Sequence, residues 1–271
     1  MTRPSFCRAW LLSTAAAAIL AGCASAPNAD LNLAANESIA RAAPRSVEER
    51  KAIETQDVLM QAAFWGEEYE KNPADREAAL KFSKILRRIG NPSQAHVVAT
   101  RSLAFYPEDH EFHLAAGVSA AAQGQPTVAI DHLANAVQLA PQDWRAHSAL
   151  GVALDQMNRH SDARLRYTEA LSRSPGNASV MTNMGLSYAL GGDLVRAESI
   201  LRDAVEQPNA PAEARQNLAL VLGLQGKFTE AQQISGLDLP PDAAEANIAL
   251  LRSWLTRPRR WDDLRALGAD G

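Results

Sequence analysis

What this chain lacks narrows its chemistry before any pattern in it is read. It has two cysteines in 271 residues, Cys7 and Cys23, so no disulfide framework holds it together. It has no basic excess: 27 Lys and Arg face 31 Asp and Glu, a formal net charge of -4. A chain of that sign offers no general attraction to nucleic acid or to anionic lipid. Beyond an apolar run over 9–21, no stretch reaches the roughly 20 apolar residues that cross a bilayer as a helix. Motifs of catalysis are missing too. Gly226-Lys227 lacks both the upstream glycine and the following Ser or Thr of a phosphate-binding loop. Gly185-Leu186-Ser187 lacks the closing glycine of a nucleophile elbow. His110 and His113 flank Glu111 three residues apart, where a zinc-protease helix needs its histidines four apart. No catalytic residue and no metal site are expected, and His113 and His147 are expected to be packing residues.

What the chain does carry is a period. Residues 144–177 read as a helix, a turn, a second helix and a proline stop, and a shift of 34 residues either way returns the pattern. With Trp144 as slot 1, Gly117, Gly151 and Gly185 share slot 8, followed by Ala219. Ala95, Ala129, Ala163, Ala197 and Ala231 share slot 20. Pro73, Pro107, Pro141 and Pro175 close the units, and Pro208 falls one residue early. A fixed period of this length, built from helix pairs, is the mark of a tetratricopeptide array. The expected fold is all-α: a right-handed superhelical solenoid of tetratricopeptide (TPR) helix pairs with capping helices. Small residues at slots 8 and 20 are expected to face each other where the two helices of a unit cross. Larger ones at slots 7, 11 and 24 surround that contact: Leu150, Leu154 and Tyr167 in one unit, Met184, Tyr188 and Leu201 in the next.

Ahead of the array, Arg3 and Arg8 precede the apolar run, the layout of a signal peptide expected over 1–22. It ends in Leu20-Ala21-Gly22-Cys23, which resembles the bacterial lipobox. That resemblance implies cleavage before Cys23, diacylglycerol on its sulfur and acylation, as by palmitate, of the new N-terminus. The covalent lipid on Cys23 is the one non-protein group expected. Several acyl chains anchor firmly, because each buried methylene adds about 0.8 kcal/mol. Ala24 stands where an aspartate would imply inner-membrane retention, so the resemblance implies the outer membrane, with the body in the periplasm. Losing Arg3 and Arg8 leaves 25 basic against 31 acidic residues, which again argues against a nucleic acid partner. Residues 23–45, with Pro27 and Pro44, read as a lipidated flexible tether.

Ser46 and Glu49 have capping-box spacing, so a helix is expected from Val47. Only Gly66 interrupts it before Asn72-Pro73, and it is expected to run to Lys71 as an atypical N-terminal capping helix within 46–75. Leu59, Phe64 and Trp65 are its expected contacts with the first repeat. The array spans 76–239, with repeats 76–109, 110–143, 144–177 and 178–211 and a degenerate unit, 212–239, cut short at Gly236. Pro240 and Pro241 restart a helix carrying Ile248, Leu250, Leu251 and Trp254. It forms the C-terminal cap of 240–271, followed by Trp261, Leu264 and Leu267.

The concave face of such an array is lined by slots 2, 5, 6, 9, 12 and 13 of the first helices. At its N-terminal end these slots place Lys81, Lys84, Arg87 and Arg88 on one helix, a basic groove end suited to an acidic segment. Further on they become apolar, with Val118, Val152, Leu186, Leu190, Leu220 and Leu224. Asn183 and Asn217 share slot 6, where an amide can hold the backbone of an extended peptide or serve only a local helix-end group. The lysine-plus-asparagine clamp of chaperone-binding TPRs is not reproduced. The C-terminal helix offers a second reading of the leucines, since Leu250 and Trp254 would cover them.

The C-terminal third also resembles the TPR lipoprotein of the tight-adherence (Flp) pilus system, TadD. The resemblance is carried by Arg215-Gln216-Asn217-Leu218-Ala219-Leu220-Val221-Leu222-Gly223-Leu224-Gln225-Gly226, by Asp238-Leu239-Pro240, and by Asn247-Ile248-Ala249 with Leu251-Arg252. It implies a non-enzymatic outer-membrane scaffold for pilus biogenesis, with a pilus secretin or other Tad component as partner. The alternative is a general envelope adaptor that serves protease recruitment or outer-membrane protein assembly.

Overall fold

The structure, a computed structural model, describes residues 44–256. The signal peptide, Cys23, most of the tether and the tail with Arg259, Arg260, Trp261, Leu264 and Leu267 lie outside the described residues. The described chain is helical throughout. Its elements are α1 (Val47–Ala52), α2 (Val58–Lys71), α3 (Arg76–Arg88), α4 (Pro92–Ser102), α5 (His110–Ala122), α6 (Pro126–Leu139) and α7 (Trp144–Gln156). There follow α8 (His160–Arg173), α9 (Ala178–Leu190), α10 (Leu194–Val205), α11 (Ala212–Leu224), α12 (Phe228–Ser235) and α13 (Pro241–Thr256).

The predicted frame holds at each first helix, since Arg76, His110, Trp144, Ala178 and Ala212 are 34 residues apart and each begins one. Two local signals outside the expected pattern set these bounds. Asp75, Asp109, Asp143 and Asn177 cap the first four of them, each side chain accepting a backbone N–H of the first turn. Pro211 takes that position before α11 and supplies no such bond. The turn inside each pair needs a left-handed residue, and Gly90, Gly124, Asn158, Gly192 and Gly226 supply it at the same 34-residue spacing.

The slot-20 alanines are all fully buried. The slot-8 glycines meet a different neighbour from the one expected. A Cβ on Gly151 would lie 2.5 Å from the Tyr167 ring, and those on Gly117 and Gly185 would lie 2.5 and 2.6 Å from Leu133 and Leu201. The large slot-24 side chain thus lies directly over the glycine. The slot-20 backbone comes next, with the Ala129 carbonyl 3.1 Å from the Gly117 position. The void of one side chain is filled by another, which is how interiors reach crystal-like density.

First helices of consecutive units touch along the whole array, from α3 to α13, whereas consecutive second helices make no comparable contact among the described residues. The array therefore bends toward its first helices, and these line the inner face.

Both ends depart from expectation. The single helix over 47–71 is two helices: α1 ends in a 3₁₀ turn at Ile53–Thr55, and Asp57 caps a new start. Asp57 accepts the N–H groups of Leu59 and Met60, which a continuous helix would have bonded internally. Val58 then falls 34 residues before Pro92, in frame with the second helices, so the cap is a repeat whose first helix is shortened to α1. Leu59 is not a contact, being 66% exposed, while Trp65 is buried and Phe64 half-buried. Arg45, the last residue of the expected tether, packs on the fold: its N–H donates to Glu68 at 2.8 Å, and its guanidinium lies over Phe64. At the other end α13 starts five residues ahead of the frame that would put its first residue at Ala246.

Candidate peptide-binding face

The six inner-face residues expected to contact a peptide stand on two adjacent first helices, α9 and α11. Asn183 and Asn217 are half-buried, and neither side-chain amide has a hydrogen-bond partner among the described residues. They do not serve local helix-end groups. Leu190 is 56% exposed and Leu220 and Leu224 are each 36% exposed, while Leu186 is half-buried. These side chains form an apolar strip flanked by two free amides, each offering one acceptor and two N–H donors. Upstream, Val118 and Val152 pack against the central core and contribute less surface.

The C-terminal helix borders this strip through Leu250, while the Trp254 side chain lies outside the described residues. Leu220, Leu250 and Leu251 line a cavity of about 390 Å³ between α11 and α13, closed below by Ile248 and flanked by Gln216 and Asn247. Leu250 stays 49% exposed. The two helices come close because Gly223 has no side chain: a Cβ there would lie 2.8 Å from Leu251.

The basic end divides. Lys81 forms an ion pair with Glu54 and lies over the Trp65 ring, so its charge is used in holding the N-terminal cap. Arg88 is exposed. Lys84 and Arg87 turn toward the next two repeats, where they line a cavity of about 190 Å³ with Glu111 and Arg145. Sequence reasoning missed Arg145 and Glu111, although both occupy slot 2, one of the slots assigned to the inner face. Burial holds the Arg87 guanidinium below its ordinary value.

The slot-4 histidines have a common task. His113 Nε2 donates to the Pro107 carbonyl at 3.1 Å and His147 Nε2 to the Pro141 carbonyl at 3.0 Å, tying each first helix to the turn before it. His113 also meets His132 on the following second helix, with Nδ1 atoms 3.4 Å apart, and the His96 ring lies edge-on to His132. Burial, then His113 and His96, push His132 below the ordinary imidazole value. Among the described residues no group of three His, Cys, Asp or Glu could hold a metal ion. Ser187 donates to Asp155 at 2.8 Å, as does the Tyr167 hydroxyl at 2.9 Å. Ser187 is fully buried, so this is a bridge between repeats and not a nucleophile.

Two family models, both described as tetratricopeptide repeat, match residues 80–144 and 120–180. This chain carries tetratricopeptide repeats. The TPR repeat-containing protein PA4299 of Pseudomonas aeruginosa is 34% identical over 137 residues, 48% of this chain and 54% of that protein. An uncharacterized protein of Sinorhizobium fredii, y4yS, is 30% identical over 109 residues, 40% of this chain and 59% of that one. The chain thus spans 54% to 59% of the length of these relatives. Among solved structures, TTC0263, a TPR protein of Thermus thermophilus, superposes with a TM-score of 0.58 at 20% identity, over 65% of this chain and 97% of that one. The APC/C hetero-tetramer Cut9–Hcn1 gives 0.59 at 17% identity, over 70% of this chain and 39% of that chain. MamA gives 0.50 at 22% identity, over 61% and 96%. At these identities the likeness is one of fold, and the fold is a TPR solenoid.

Proposed function

We propose that this chain is a non-enzymatic lipoprotein scaffold of the outer membrane, anchored through Cys23, whose inner face holds an extended segment of a Flp/Tad pilus component such as the secretin. The observation that supports a binding face most directly is the pair Asn183 and Asn217. Two half-buried amides without partners, beside exposed leucines, are arranged to bond a backbone laid between them. The pilus assignment rests on the C-terminal sequence resemblance, and the envelope address on Leu20-Ala21-Gly22-Cys23.

The test is the double substitution Asn183→Ala with Asn217→Ala in the full-length lipoprotein, beside a Cys23→Ser variant. The double variant should keep wild-type helicity, melting and membrane association yet lose secretin capture and pilus formation. The Cys23→Ser variant should fold but leave the membrane fraction. A folded double variant that assembles pili normally would exclude the amides from the binding face. A Cys23→Ser chain that still fractionates with outer membranes would overturn the lipid anchor.

A further inference from the structure

We infer that Arg87 forms the centre of a carboxylate-binding pocket at the N-terminal end of the inner face, which selects a partner segment carrying an acidic group beside an aliphatic one. The inference rests on the reading of the inner face as a peptide site and adds the chemistry of its second contact.

Charge bookkeeping around the pocket points to it. Arg76 is matched by Asp109, Nε to Oδ2 at 2.5 Å, and Arg145 by Asp143 at 2.7 Å. Both aspartates are also the caps of their helices, so they are held in place. One acid remains, Glu111, and three cations share it at longer range: Arg76 at 3.3 Å, Arg145 at 3.5 Å and Lys84 at 3.8 Å. Arg87 has no acid partner among the described residues. Its Nε is buried without a hydrogen-bond partner. Four cations against three acids leave one positive charge over, and that charge lies in the cavity.

A partly buried guanidinium without a partner costs free energy in the unbound chain, and a carboxylate that enters the cavity recovers it through charge-assisted hydrogen bonds. The planar fork of arginine suits the two oxygens of a carboxylate. Lys84 and Arg145 stand at the rim, where they draw an acid inward, while Leu114 and Val118 supply an apolar wall. At about 190 Å³ the cavity has room for a carboxyl group and a short aliphatic neighbour, not for a helix. A side-chain carboxylate and a chain-terminal one share this chemistry.

Three peptides separate the two sources: Ac-Leu-Val-Glu-amide, Ac-Leu-Val-Gln-amide and Ac-Leu-Val-Gln with a free carboxyl terminus. Each is titrated into the full chain, wild type and Arg87→Gln, with affinity read by calorimetry in both and the Arg87 Nε–H resonance followed by NMR in the wild type. The Glu peptide, the free-acid peptide or both should move that resonance, and the neutral amide should leave it still. Arg87→Gln should weaken the acidic peptides about tenfold or more, the effect of losing a charged hydrogen bond. Lys84→Gln should weaken them less and reduce the salt dependence. Melting of Arg87→Gln should match or exceed the wild type, since a partnerless charge is removed. Equal binding of all three peptides, or acidic peptides held as tightly by Arg87→Gln, would overturn the pocket. The distinction from the wider reading is direct: loss of the Arg87 effect with Asn183 and Asn217 still required for capture removes the pocket and leaves the groove.

Discussion

The two ends of this solenoid close its open core by different means. At the N-terminal end no residue of α1 is buried, and the helix is held by charge. Arg50 pairs with Glu68 at 2.9 Å, Asp75 at 2.6 Å and Glu77 at 3.0 Å, and its guanidinium lies over the Trp65 ring. Glu68, only 1% exposed at its side chain, also takes Lys71 and the Arg45 N–H. At the C-terminal end α13 is held mainly by apolar contact: Ala244 and Ile248 are buried, Leu251 presses on Gly223, and the Arg252 guanidinium lies over the Phe228 ring. A terminal repeat needs an outer face that water accepts. Charge pairing meets that need because its outward atoms are already polar. Both caps leave apolar side chains in water, Val47, Leu59 and Met60 at the charged end and Leu237, Leu250 and Leu255 at the apolar one, so the ends differ in what holds them and not in how well they shed apolar surface.

The largest effect should come from breaking the charged end. Arg50→Ala strips the main partner from a buried carboxylate, and removing one member of such a set costs about 3 kcal/mol or more. Lys71 and the Arg45 N–H remain on Glu68, which keeps the expectation at the lower limit. Hydrogen exchange of α1 and α2 should rise far above that of α13. If α1 amides exchange as slowly as in the wild type, the cap is held by something other than this network.

Between the ends lies a region that needs neither device, and it is the part most legible in the sequence. The 34-residue frame located the first helices because glycine and alanine at fixed slots are a direct imprint of close helix packing. The cap at 47–71 was less legible: Asp57 breaks the helix through one side-chain bond pair, a signal no longer than two residues. The inner face was legible in its slots and not in its pairings. Lys81 and Arg87 stand on the same helix with the same apparent exposure in a helical pattern. Only the fold shows that Glu54 reaches Lys81 and that no acid among the described residues reaches Arg87. Register predicts which face a residue occupies, while ion-pair partners come from elements many residues away.

Ala163→Leu gauges the middle against the ends. Ala163 is fully buried in the central repeat, and added methylenes there force neighbours off their rotamers at a cost of typically about 1–3 kcal/mol. The loss should appear in the denaturation midpoint of the whole array, because the central unit couples both halves. A wild-type midpoint would show that the slot-20 contact has slack that the Gly151–Tyr167 contact lacks.

The smallest effect at neutral pH, and the one that separates the two ends most cleanly, is acid. Burial raises Glu68, but the Arg45 N–H, Lys71 and Arg50 together hold it below its ordinary value. Asp75 is likewise raised by burial and lowered further by Arg50 and by the Ala78 N–H. A carboxylate with a depressed folded value binds fewer protons folded than unfolded. Its contribution to stability is therefore whole above the ordinary carboxylate range, about pH 4, and is lost as pH falls through the depressed folded value. Between pH 7 and 5 the N-terminal end should not change. Below about pH 4 it should open first, with α1 exchange accelerating while α13 stays protected. The packing of Ala244, Ile248 and Leu251 has no proton to gain. The Arg215–Asp238 pair, 2.5 Å apart, loosens in the same acid window, but it ties the turn ahead of α13 to α11 and not α13 itself. Exchange measured at pH 6, 4 and 3 on the full chain decides the matter. If α13 opens before α1 as pH falls, the division into a charged end and an apolar end is wrong, and the C-terminal cap depends on a carboxylate.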